Sequence, residues 1–163
     1  MYQQEIGGVD PISVGEALAH SQDWSCDRLG EDSVAIVVDG KWRVLFLAMM
    51  WSQSEGLIRL TSSFDLKPRA GHVLDLLGAI NRVNECCWEG AFTLCSEQEL
   101  VVYRNVLVFD ERNAGNWRHI DRLLTTAIDR CERFYPVLQA VNLGNSSFSG
   151  LLKLALSEPV GHS

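Results

Sequence analysis

The residues that could do chemistry in this sequence are few and poorly spaced for it. His20, His72, His119 and His162 are scattered, and no two stand three or four apart, so no helical metal pair can form. Cys86-Cys87 is a vicinal pair without zinc-ligand spacing. Cys87 and Cys131 fall on apolar stripes, where a thiol packs as a small hydrophobe. Gly7-Gly8 lacks the strand and helix that a phosphate-cradling loop requires, and no Gly-x-Ser-x-Gly elbow occurs. His119 and Asp121 sit two apart and cannot face each other on a helix, so they read as a surface pair and not as a base with its orienter. No catalytic residue, cofactor site or metal ligand is assigned. If a small-molecule pocket exists, Arg104, Glu132 and Arg133 are the titratable groups expected to line it.

Two features suit binding better than catalysis. Met49-Met50-Trp51 could form an adaptable surface, because methionine repacks easily, or could be ordinary core. With Tyr103 and Arg104, these residues are the candidate partner contacts. Asn84 lies on an apolar helical stripe, where an amide is costly unless its polar atoms are paired. It either bonds a strand backbone or faces a partner.

The composition narrows the partner. The chain has 163 residues, 47% hydrophobic and 21% charged, which describes a single globular domain and not a disordered chain. A chain of this size buries roughly 70% of its surface without help from metal or disulfide. Acids outnumber bases 21 to 14, for a net charge of -7. Nucleic acids and anionic membranes are bound through Lys and Arg, so neither is expected as a partner. The longest apolar run, Val44 to Trp51, is far shorter than the ~20 residues of a membrane helix. The first ten residues show no secretory signal, and the five cysteines are an odd number, so reduced thiols in a cytoplasm are expected. On that expectation the sequon Asn145-Ser146-Ser147 has no meaning.

The elements that must position these residues follow from periodicity. Asp10-Pro11 opens a first helix as N-cap and N1, although Ser13 and Glu16 also fit a capping box three residues later. Trp24 to Leu29 reads as a short strand. Val34 to Val38 and Trp42 to Trp51 are strands flanking Asp39-Gly40, a hairpin signal whose two turn positions want positive φ. Both faces of the run from Val44 are apolar, so it is a central strand or meets another subunit. Leu57 to Leu66 alternates, with Ile58, Leu60, Ser62 and Phe64 on one face. Pro68 opens a second helix reaching about Trp88, with Val73, Leu77, Ile80, Asn84 and Cys87 on one stripe. Gly90 to Ser96 and Leu100 to Phe109 form a second hairpin. Asn116 caps a third helix in which Ile120, Leu124, Ala127, Cys131, Phe134, Leu138 and Val141 share one side, kinked at Pro136 and ended by Gly144-Asn145. Arg122, Asp129 and Arg133 lie opposite. Phe148 to Ser157 reads as a short last helix. The order α-β-β-β(-β)-α-β-β-α is an α+β class with an antiparallel sheet of five to six strands packed by helices. One domain over 1–163 is expected, its core at about 10–144 and a tail at 145–163.

Several segments carry a family resemblance: Asp23-Trp24 with Asp27-Arg28-Leu29-Gly30, Ile80-Asn81-Arg82-Val83-Asn84-Glu85, Trp88-Glu89-Gly90-Ala91-Phe92, Tyr103-Arg104, and Cys131-Glu132-Arg133-Phe134-Tyr135-Pro136. Together they resemble the YbjN family of bacterial sensory transduction regulators, over roughly Asp10 to Gly144. The resemblance implies a fold similar to that of type III secretion chaperones, which are small acidic dimers that bind extended segments of other proteins. It implies no catalytic residues. It makes Trp24, Asn81, Asn84, Gly90, Phe92, Phe134, Tyr135 and Pro136 architectural, with Asn81 and Asn84 tying the second helix to the sheet.

Two classes of function follow. The first is a non-catalytic regulatory or chaperone-like module, a homodimer that binds a signalling protein or client segment. The alternative is a small-molecule sensor or enzyme with its pocket near Arg104, Glu132 and Arg133.

Overall fold

The computed structural model describes residues 8–113, 116–145 and 148–157. Gly7, Ser146, Ser147 and His162, named above, lie outside these residues. The order is α1 (Pro11–Ser21), β1 (Ser25–Gly30), β2 (Ser33–Asp39), β3 (Val44–Ser52), β4 (Leu57–Ser63), α2 (Val73–Glu85), β5 (Ala91–Cys95), β6 (Leu100–Val108), α3 (Trp117–Asn142) and α4 (Phe148–Ser157). The six strands form one antiparallel sheet in the order β1-β2-β3-β4-β6-β5. The fold is therefore α+β, and the run from Val44 is a central strand.

The first helix starts at Pro11. The Asp10 carboxylate accepts from the backbone N–H groups of Ile12 (3.1 Å) and Ser13 (3.2 Å), two of the donors that a helix start leaves unpaired. Helices α1, α2 and α3 cover one face of the sheet, and α4 packs on α3. That face supplies Ile36, Leu47, Leu60 and Tyr103, and α3 supplies Ile120, Leu124, Phe134 and Leu138. Helix α3 runs through Pro136. At its end Gly144 takes φ 90°, the Asn145 N–H reaches the Ala140 carbonyl and the Gly144 N–H reaches Val141, the paired bonds that close a helix on a left-handed glycine.

Four local expectations change. Asp39 pairs with Val44, so the β2–β3 loop is Gly40 to Arg43, four residues and not an Asp-Gly turn. Gly40 serves close approach: a Cβ there would lie 2.1 Å from Glu132 Oε1 and 2.4 Å from the Arg43 carbonyl oxygen. The second helix starts at Val73 and not at Pro68, and it ends at Glu85. The segment before it is kept out of the helix, because the Asn142 side chain accepts from the Arg69 N–H (2.8 Å) and donates to the Lys67 carbonyl (2.8 Å). The buried stripe of α2 is Leu76, Ala79, Ile80 and Val83, while Val73 and Leu77 are exposed. Asn116 precedes α3 without capping it, since its amide donates back to the Asp110 carbonyl.

Candidate functional site

The helices leave the other face of the sheet open. Alternation along each strand sends one set of side chains to the core and the next to this outer face. On β3, Leu45, Leu47 and Met49 are buried, while Val44, Phe46 and Met50 are exposed. On β6 the outward set is Val102, which is buried, and Arg104, Val106 and Val108, which are exposed. Phe46 keeps 51% of its surface in water, Met50 46%, Val106 55% and Val108 78%. Single exposed apolar residues are ordinary, but four on one sheet face, with Met50 and Val106 in the same row on either side of Arg59, suit an interaction surface.

The register fixes what surrounds it. Asp27, Ala35, Ala48, Thr61 and Arg104 form one row across five strands. Val37, Phe46, Ser63 and Val102 form the next on one side, and Ser33, Met50, Arg59 and Val106 the next on the other. The acids of this face, Asp27 and Asp39, are on β1 and β2, and its bases, Arg59 and Arg104, are on β4 and β6. Arg59 pairs with Glu55 at 2.6 Å, but both are about half exposed, and such a pair contributes little.

The candidate partner contacts divide between this face and the core. Met50 and Arg104 are on the outer face. Met49 is fully buried, because β3 turns its odd-numbered residues inward. Tyr103 is fully buried too, and its hydroxyl donates to the Glu89 carbonyl at 2.9 Å. Burial pushes that phenol well above its ordinary pKa. It is a core residue and not an anchor. Trp51 is half-buried on the core side, edge-on to Phe109 at 5.4 Å.

Arg104, Glu132 and Arg133 form no common pocket. Arg104 lies 3.9 Å from Cys95 Sγ on the outer face. Both carboxylate oxygens of Glu132 accept from the Lys41 N–H at 3.0 Å, which pins the β2–β3 loop to α3. Burial pushes the Glu132 carboxyl up, opposed by that N–H. Arg133 is not on a solvated side of α3: it donates to the Ala155 carbonyl of α4 at 2.8 Å and reaches Asp129 at 3.4 Å. No group of three or more metal-ligating side chains occurs among the described residues.

The residues that carry the resemblance lie in the frame behind the face. Phe92 meets Phe64, Tyr103 and Phe134 edge-on, and Phe64 meets Tyr135, so five aromatic rings join β5, β6, α3 and the residue just after β4. Gly90 has φ 71°, and a Cβ there would lie 2.2 Å from the Tyr103 hydroxyl. The Trp24 N–H reaches the Ala19 carbonyl just past α1. Asn84 bonds both polar groups of one strand residue, donating to the Phe92 carbonyl (2.9 Å) and accepting the Phe92 N–H (2.8 Å). Asn81, by contrast, is exposed on α2 and ties nothing to the sheet.

Sequence reasoning missed Phe46, Val106 and Val108. The signal was present as the alternation 102-104-106-108, but which parity faces the helices cannot be read from one strand. A family model described as YbjN, putative bacterial sensory transduction regulator, matches residues 16–140. No curated protein matches the chain.

Proposed function

This chain belongs to the YbjN family, and from that premise we propose that it is a non-catalytic regulatory module that works by binding protein on the outer face of its sheet. The observation that carries the reading is the exposure of Phe46, Met50, Val106 and Val108 together on the sheet face opposite the helices. Regulation by association needs a surface with apolar anchors and a polar surround, and this face has both. Enzyme chemistry needs converging groups, and Arg104, Glu132 and Arg133 stand against three different elements.

Photo-crosslinking in living cells tests the reading. A photoreactive residue replacing Phe46 should give protein adducts, and one replacing Leu74, 83% exposed on α2, should not. Equal labelling at both positions, or none at Phe46, would overturn it.

A further inference from the structure

We infer that α2 and α3 form a second protein-binding site, a seat for an amphipathic helix of another protein, and that α4 fills this seat in cis as a releasable strap. The seat lies on the helix side of the molecule, so it is separate from the outer sheet face.

Helix α4 is attached differently from the other three. Helices α1, α2 and α3 each bury four or more residues, whereas α4 buries none. Its inward side is Phe148, Leu151, Leu152 and Ala155, all half-buried, at the i, i+3, i+4, i+7 spacing of one helix face. Phe148 and Leu152 pack against the core, while Lys153, Leu154 and Leu156 are exposed. This is the pattern by which a separate helix lies in a groove of another protein, here supplied by the chain itself.

The seat reads direction as well as shape. Arg82 of α2 lies over the Phe148 ring, 4.8 Å from its centroid, at the start of α4. Arg133 of α3 donates to the Ala155 carbonyl at 2.8 Å, in the last turn, where a helix leaves carbonyls unpaired and its dipole attracts a cation. Val137 stands one turn from Arg133 on the same side of α3 and is buried. An occupant therefore needs an aromatic residue in its first turn, apolar residues three, four and seven positions on, and its last turn at Arg133.

Charge adds one requirement that α4 does not meet. Arg130 and Arg133 both pair with Asp129, at 3.0 and 3.4 Å, and the buried Nε of Arg130 has no hydrogen-bond partner among the described residues. Between Phe148 and Ser157 the single charge is Lys153. A partner helix with an acid at its C-terminal end gains a charge-assisted bond there. What favours α4 is its tether. Helix α3 ends at Asn142 and α4 begins at Phe148, and so short a connection sets an effective concentration on the order of millimolar.

Fluorescence anisotropy with the full chain tests this. The probe is a labelled synthetic helix of sequence Phe148 to Ser157 with a free C-terminal carboxylate, stapled across the exposed positions 149 and 153 so that it is helical alone. The wild type should bind it weakly, because α4 holds the seat. Leu152→Asp lifts α4 and should bind the probe about 10-fold tighter or more. Adding Arg133→Gln, or amidating the probe, should remove much of that gain. Hydrogen exchange of the wild type should show α4 opening far faster than α3. Leu152→Asp binding no tighter than wild type overturns the inference. So does loss of the cooperative melt in Leu152→Asp, since α4 would then belong to the core, and so does exchange in α4 as slow as in α3. If wild-type chain displaces the probe from Leu152→Asp as well as unlabelled probe does, α4 crosses between copies and the strap in cis is overturned. Crosslinking at position 46 is independent of all these results.

Discussion

Strand β5 is an edge strand, paired only with β6, and Asn84 does there what a neighbouring strand would do. Its side-chain amide offers one donor and one acceptor to the Phe92 carbonyl and N–H, as a peptide group would. Phe92 is 2% exposed, so water is a poor substitute. Asn84→Leu removes both bonds and strands two backbone groups. Each stranded buried group costs about 1–3 kcal/mol, and partial exposure of the Asn84 site lowers the sum, so we expect a loss of about 2 kcal/mol. In a chain of this length that is a fall of about 4–8 °C in melting temperature. Urea unfolding should show a lower midpoint with an unchanged slope. Asn84→Asp is the sharper variant. Its carboxylate can accept the Phe92 N–H but sets negative charge against the Phe92 carbonyl, so its pKa in the folded state rises above the ~3.9 of an unfolded chain. The penalty is complete above that raised value and fades as pH falls toward 3.9, because the protonated acid donates again. If Asn84→Leu unfolds within 0.5 kcal/mol of wild type, or Asn84→Asp shows no relative recovery in acid, the strand-surrogate role is wrong.

Other outcomes follow from the same contacts. Gly90→Ala, at φ 71° and against the Tyr103 hydroxyl, should cost more than 1 kcal/mol in urea unfolding, and a neutral result would mean that the turn can relax. The Arg28 guanidinium bonds Glu16 at 3.0 Å and holds its carboxyl below the usual range, so the pair stabilises above the unfolded carboxyl pKa and fades as pH falls through the folded one. In Arg28→Ala the Glu16 titration seen by NMR should move up, and an unmoved midpoint would remove Arg28 as the cause. Burial pushes Cys87 up to about 11 and Cys131 up to about 12. A thiol reagent at pH 8 should therefore label Cys131 only after unfolding, and prompt labelling of the native chain would contradict its burial.

Most of the scaffold was legible in the sequence because its signals are local. Asp10-Pro11 starts α1 by chemistry contained within four residues. The α3 stripe from Ile120 to Val141 is long enough that its buried side is unambiguous, and all seven residues read as one side are buried. Short or non-local determinants were read less well. Helix α2 centres its packed side on Leu76, Ala79, Ile80 and Val83, so the stripe through Val73 and Leu77 falls on the margin of that side and is exposed. Pro68 reads as a helix start, yet Asn142, far along the chain, takes the backbone on either side of it. Gly40 reads as a turn former, but its neighbour is Glu132 of α3. The candidate site suffered most. Met49-Met50-Trp51 is one block in the sequence, but a strand divides it between two faces. Tyr103 and Arg104 divide in the same way, one to the core and one to the open face.

Met49 and Met50 supply their own control for the central claim. They are adjacent in sequence and alike in chemistry, but Met49 is fully buried while Met50 lies on the open face. Oxidative footprinting inside living cells, read as sulfoxide at each position, reports directly on whether that face is covered. The account predicts that both methionines are protected in cells, and that Phe46→Glu makes Met50 reactive while Met49 stays protected. Sulfoxide forming at Met50 of the wild type in cells as fast as in the Phe46→Glu variant would contradict it.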